Sequence, residues 1–413
     1  MAGHDAGQKR PCCFGQASAR TGTDKRETGM QKIDDILAAA VGAGDLPCIV
    51  AMVADRHGVV YAGAHGRQNM AEAGPARLDT TFRLHSMTKA ITAVAALQLV
   101  ERGLIDLDEP LGARFPALAD KHILTGFAAD GTPLTRKAQR PITLRHLLTH
   151  TAGFCYDMWN GDIARWQKAT GTPGSRSGKL ASLNQVLSFE PGTRWQYSIA
   201  IDHVGRIVEA LTGTDLETCL RRSVLDPLGM TETTFRQSQT QAERRVAMHR
   251  RLADGGIEAL PSPPEVPEYL NGGGALFGTV PDYLKFTRCL LAGGAPLVRP
   301  DSCAAMVSNQ LGSLQIETLK AAIPALVADV EFWPGLAKGW GLSFLINLER
   351  TPEGRNAGSF GWAGLSNLYY WVDPAAGLTG VFASQMLPFF DRRAIDAFRA
   401  FERAVYEEFG KTA

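Results

Sequence analysis

The sequence predicts an α+β protein whose sheet is assembled from both ends of the chain, with a mostly helical domain inserted between them. Three observations predict it. Two strand-like segments, 48–54 and 59–64, stand near the start, with His57-Gly58 between them as a hairpin turn. Strand character then lapses and returns late, at 342–348, 368–372 and 378–384. Between the two clusters, apolar residues recur at helical spacing, broken by Pro/Gly loops. Two strands alone do not make a stable sheet, so the early pair is expected to join the late cluster.

In chain order, residues 1–29 are rich in Gly, Lys, Arg and Thr without a hydrophobic period, and read as a flexible extension. Ile33, Ile36, Leu37 and Val41 mark the first helix of the folded body. A second helix is expected over 86–104, with Gly103 where a C-terminal stop belongs. The clearest helices of the insertion are 144–149 and 199–211, and a strong terminal helix covers 393–409. The sheet domain therefore takes 30–84 and 265–413, and the helical domain takes 85–264. The cleft between them is the expected place for a pocket.

Composition narrows the function classes. A net charge of +1 over 413 residues makes no electrostatic case for nucleic acid or an anionic membrane as partner. The apolar run around 90–100 is too short and interrupted to span a bilayer. The first 30 residues lack the apolar stretch of a secretory signal. The cysteines number 7 and include no C-x-x-C pair, so neither a disulfide framework nor a zinc site is indicated. A reducing cytoplasm is the expected compartment.

The first candidate for chemistry is Ser86-Met87-Thr88-Lys89, at a helix start. A serine hydroxyl is a weak nucleophile and needs a base beside it. Residues i and i+3 share a helix face, so Lys89 can reach the Ser86 hydroxyl. A helix N-terminus adds free N–H groups suited to an oxyanion. Lysine acts as a base only if burial or nearby cations lower its pKa. The bland alternative is a serine cap followed by a solvated lysine. Against it, Ser86 is the only serine with a lysine three residues on.

Two further segments could complete such a site. Trp195-Gln196-Tyr197-Ser198 precedes the 199–211 helix, and a tyrosine there could relay protons; a half-buried aromatic is the plainer reading. Gly361-Trp362-Ala363-Gly364 precedes the 368–372 strand, and small residues there would let a substrate reach backbone N–H groups. Taken alone, that segment reads equally well as a β-turn.

In this order, Ser86-x-x-Lys89, Tyr197-Ser198 and Trp362-Ala363-Gly364 resemble the three motifs of serine β-lactamases and penicillin-binding proteins. More specifically the chain resembles the class C β-lactamase-like esterases, the family VIII carboxylesterases. Phe189-Glu190-Pro191-Gly192-Thr193, Asp226-Pro227-Leu228-Gly229-Met230 and Gly272-Gly273-Gly274-Ala275-Leu276-Phe277 also resemble that family, as does 142–153. The resemblance covers roughly 45–385 and implies a β-lactamase-like fold, an antiparallel sheet flanked by helices. It implies Ser86 as the acylated nucleophile and Lys89 with Tyr197 as the base system. It also implies the backbone N–H groups of Ser86 and Leu365 as oxyanion donors, with no metal and no cofactor.

Two departures bear on the substrate. Ile199 stands where a β-lactamase of this type carries an asparagine, and Trp362 where it carries the lysine that pairs with the lactam carboxylate. With Trp362, Ala363, Gly364 and Ile199 lining the site, a small neutral ester is the expected substrate and partner. An acyltransferase using the same acyl-enzyme is the alternative. A weak β-lactamase or D-aminopeptidase and a catalytically silent scaffold are the other rivals. The oligomeric state and the choice between Lys89 and Tyr197 as base stay open.

Other patterns carry less. His146 and His150 share a helix spacing but no third ligand accompanies them, which favours structural roles. Gly42-Ala43-Gly44 lacks the third glycine of a dinucleotide fingerprint, and Gly178-Lys179 lacks the rest of a phosphate loop. No G-x-S-x-G is present, so an α/β-hydrolase elbow is not the source of the nucleophile. Arg221-Arg222 is too short for a basic patch.

Overall fold

In a computed structural model, residues 20–72, 74–261 and 266–410 are described. The early strands do join the late ones. Strands β1 (Cys48–Asp55), β2 (Val59–Gly66), β3 (Lys338–Trp340), β4 (Leu345–Asn347), β5 (Phe360–Gly364), β6 (Leu368–Asp373) and β7 (Leu378–Ala383) form one sheet. Its order is β2-β1-β7-β6-β5-β4-β3, every pair antiparallel. The splice between the two chain ends is the β1–β7 ladder, with Val50 opposite Ala383 and Asp55 opposite Leu378.

β1 reads as an unbroken apolar run because both of its faces are covered. On one face lie α1 (Arg20–Gly42) and α6 (Arg392–Phe409), which pack on each other. α5 (Val280–Leu291) packs against β1, β6 and β7. α6 starts where the Asp391 side chain accepts the Ala394 N–H. Its stripe of Ile395, Phe398, Phe401 and Val405 recurs at helical spacing and is buried against sheet aromatics such as Tyr369 and Phe382. α1 begins at Arg20, ten residues inside the stretch expected to be a flexible extension; 1–19 fall outside the described residues.

The middle of the chain contributes α2 (Thr88–Glu101), α3 (Leu144–Leu148) and α4 (Ala200–Thr212), close to the helices expected there. Three strand features differ from expectation. His122–Phe127 and Pro133–Lys137 form a hairpin, and its largely exposed second strand gives no period-2 apolar signal. His249–Arg251 pairs with Ile257–Ala259 and with Met386–Leu387, tying the insertion to the end of the sheet. The 342–348 strand is shorter, because Ser343 has φ +84 and turns the chain between β3 and β4.

Candidate active site

Ser86 sits in the one-turn 3-10 segment His85–Met87, which runs directly into α2. Neighbouring backbone and side chains pin this turn from three directions. Leu84 N–H donates to Leu276 O (2.8 Å), Arg83 N–H to Gln385 Oε1 (2.9 Å), and Tyr283 Oη–H to Met87 O (2.9 Å). His85 is held at φ +48, a conformation costly for a side chain with a Cβ. Such strain beside Ser86, the candidate nucleophile, fits a backbone held for function rather than for ease of folding.

Lys89 is the fully buried member of the pair, at 1% exposure. Its Nζ reaches Ser86 Oγ at 3.1 Å, Tyr156 Oη at 3.0 Å and Gly273 O at 2.7 Å. Three oxygen partners match the three N–H bonds of an ammonium. Burial opposes that charge and pushes the Lys89 pKa down to about 7, while the nearby Asp202 carboxylate pulls the other way. On losing its proton the amine needs a donor facing its lone pair. Gly273 O cannot donate, whereas the Ser86 hydroxyl can.

Tyr197 is equally buried, at 2% exposure. The Ser86 side chain lies beside its hydroxyl, and the Trp362 indole N–H donates to it at 2.8 Å. Burial raises the hydroxyl's pKa well above its ordinary value, and both neighbours act in the opposite direction. The ring is packed by His150 (4.7 Å between centroids), Trp362 (4.8 Å) and Trp159 (5.7 Å). Behind it, His150 Nδ1 shares a 3.0 Å hydrogen bond with Ser198 Oγ. Burial keeps His150 neutral, its pKa well below the usual range. His146 Nδ1 accepts Thr143 N–H and closes a capping box on α3. Both histidines therefore have structural partners.

The third motif corrects an expectation. Gly361-Trp362-Ala363-Gly364 is not a turn but the buried strand β5. Its glycines are required by close approach. A Cβ on Gly361 would come within 2.1 Å of Tyr370 O, and one on Gly364 within 2.6 Å of Leu84 O. The second contact sets the end of β5 against the nucleophile turn. The turn itself follows at Leu365, closed by Asn367 N–H donating to Gly364 O at 3.1 Å. Gln385 ties the two turns together, bonding Arg83 on one side and the Ser366 hydroxyl on the other. Trp362 and Ala363 are buried, as is Ile199 at the start of α4. Trp362 also borders an open pocket that combines apolar residues such as Trp195 and Phe332 with the charged Glu317, Glu331 and Lys338, and that is not lined by Ser86, Lys89 or Tyr197.

The sequence reading missed Tyr156, Asp202 and the carbonyl of Gly273. Asp202 had no distinctive signal, since an acidic residue in the first turn of a helix is ordinary. Tyr156 had none, because only the fold brings it to Lys89.

Against known proteins, the beta-lactamase family model matches residues 33–404. The chain belongs to the beta-lactamase family. The chain is similar to the lovastatin esterase of Penicillium rubens, 32% identical over 399 residues, covering 91% of this chain and 98% of that one. The monacolin J acid methylbutanoyltransferase of Aspergillus terreus is 32% identical over 388 residues, with 90% and 94% covered. Among solved structures, unliganded simvastatin synthase (LovD) from Aspergillus terreus superposes with a TM-score of 0.82 at 29% identity, covering 93% of this chain and 99% of that one. The fold is thus the β-lactamase and penicillin-binding-protein fold, and the protein is a serine hydrolase of that family. No described helix is long and apolar enough to cross a membrane.

Proposed function

We propose that this beta-lactamase family member hydrolyses small neutral carboxylic esters through an acyl-enzyme on Ser86. The observation that carries the proposal is the buried Lys89 Nζ, 3.1 Å from Ser86 Oγ with its basicity lowered by burial. Neutral Lys89 takes the Ser86 proton, directly or with Tyr197, as Oγ bonds the ester carbonyl carbon. The carbonyl oxygen becomes an oxyanion facing the N–H groups of Ser86 and Leu365. The carbonyl re-forms as the alkoxy bond breaks, and the alcohol leaves with a proton returned through Tyr197. Water, giving up a proton to the same base, then frees the acid.

Neutral esters fit the lining. Where a lactamase presents an amide and an ammonium, this site presents Ile199 and Trp362, and the Trp362 N–H is already engaged by Tyr197. The cleft would lie between the sheet domain of 30–84 and 265–413 and the helical domain of 85–264. The named relatives include both an esterase and a methylbutanoyltransferase, which keeps acyl transfer to an alcohol as the second reading. In that reading the acceptor hydroxyl replaces water in the second half.

The test is a panel of p-nitrophenyl esters of graded acyl length, with and without alcohol acceptors, on wild type and Ser86→Ala. Hydrolysis should vanish in the variant, and retention of most activity would overturn the assignment. Transfer product exceeding hydrolysis would select the second reading. Nitrocefin turnover matching ester turnover would point back to a lactamase.

A further inference from the structure

Asp202 is fully buried on α4. Oδ1 accepts the Gly273 N–H at 2.7 Å and the Asn271 side chain lies beside the carboxylate, while Oδ2 makes no hydrogen bond of ordinary geometry among the described residues. A half-satisfied carboxylate in a core is costly, and an asparagine would accept the same N–H without the charge. The other end of that residue is the carbonyl that accepts Lys89 Nζ at 2.7 Å. Gly273 therefore stands between the carboxylate and the amine. A Cβ there would lie 2.5 Å from Asp202 Oδ1 and 3.3 Å from Lys89 Nζ, so only glycine fits. The preceding carbonyl, Gly272 O, is fixed by Thr92 Oγ1 from α2 at 2.7 Å.

We propose that Asp202 is a positioning residue for Lys89: through Gly273 it holds the amine on Ser86, and its charge sets the pH at which that amine becomes a base. This rests on the reading of Lys89 as base. Burial raises the pKa of Asp202 to about 6 while Lys89 pulls it back down, and the carboxylate's charge in turn favours the ammonium. The two titrate as a pair, and removing the carboxylate should ease deprotonation of Lys89. Other titratable groups surround the pair. They are His85 from the nucleophile turn, His150 and Tyr156 from the segment after α3, Tyr197 before α4, His203 on α4, and Tyr269. Burial lowers the pKa of all three histidines and raises that of all three tyrosines. All six therefore stay uncharged around neutrality. Arg83, Asp157 and Arg206 stand beyond them.

The test compares wild type, Asp202→Asn and Asp202→Glu by two measurements. One is the pH profile of kcat/KM on a p-nitrophenyl ester. The other is the titration of the Lys89 side chain by lysine-selective NMR, its signal identified by its absence in Lys89→Met. In Asp202→Asn both midpoints should move to lower pH by about one unit, while Asp202→Glu keeps them near wild type even if its rate falls. A purely structural role would lower rate and Tm in both variants and leave both midpoints in place, which would overturn the proposal. An NMR midpoint that moves without the kinetic one would overturn Lys89 as the governing base and leave the coupling to Asp202 standing.

Discussion

Lys89 and Tyr197 both face Ser86 from fully buried positions, but the polar contacts around them differ. The lysine is held by oxygens, namely Ser86 Oγ, Tyr156 Oη and Gly273 O, with a carboxylate one residue's width beyond. Its Nζ also lies over the Tyr197 and Tyr156 rings, 4.8 and 5.2 Å from their centroids. The tyrosine is enclosed by rings, and its hydroxyl meets one indole N–H. Directional bonds fix where an ammonium sits, and nearby charge adjusts when it loses its proton. Ring packing fixes the orientation of a phenol with little effect on net charge. One side of the site is thus built to tune a proton, and the other to aim one.

The largest break in that comparison comes from removing the tuned group. Lys89→Met should lower kcat by about a thousandfold, within the range for loss of a general base, with KM changed little. Its Tm should fall at neutral pH, because the substitution leaves the buried Asp202 carboxylate and Gly273 O without the ammonium they face. A kcat within tenfold of wild type would make Tyr197 the working base. Next in size is Tyr197→Phe, expected to cost about a hundredfold in kcat. The ring cage survives, so the circular dichroism spectrum should be unchanged. The Trp362 N–H loses its acceptor, which costs about 1–3 kcal/mol if no water replaces it.

These two residues were legible in the sequence, and the reason is local. Ser86 and Lys89 are one helical turn apart, and Tyr197 sits in a short motif at a helix start. The sheet was legible for similar reasons, since β1, β6 and β7 are continuous apolar runs between turn signals. What was not legible depends on contacts between distant segments. Tyr156 and Gly273 meet Lys89 across 67 and 184 positions of chain. β5 was hidden by its composition, because Gly361 and Gly364 are turn residues by propensity. Here they are demanded by Tyr370 and Leu84 pressing on the backbone. Trp362 was legible as a position but not as a donor, since its bond to Tyr197 exists only once β5 is a strand.

That donor gives the third prediction, smaller than the first two. Trp362→Phe keeps most of the ring packing and removes the N–H, so kcat should fall about tenfold, the scale of one hydrogen bond's net worth. KM for short neutral esters should hold within a factor of about two if the indole acts on Tyr197. A raised KM with kcat unchanged would reduce Trp362 to a substrate-contacting wall without an effect on Tyr197.

The smallest expected effect is the sharpest separator of the two sides. In wild type, kcat/KM should rise with pH as Lys89 gives up its proton, with the acid limb centred at about 7. The sign follows from the base: below that pH the amine is an ammonium and cannot accept the Ser86 proton. His85 and His150 do not contribute to this limb, because burial holds both neutral well below it. Trp362→Phe changes no charge and touches Lys89 only through Tyr197, so its slower reaction should keep the limb where wild type has it. A limb that moved with Trp362 would mean that the proton lost on this limb belongs to the coupled Lys89–Tyr197 system. The oxygen cradle and the ring cage would then be one titrating unit.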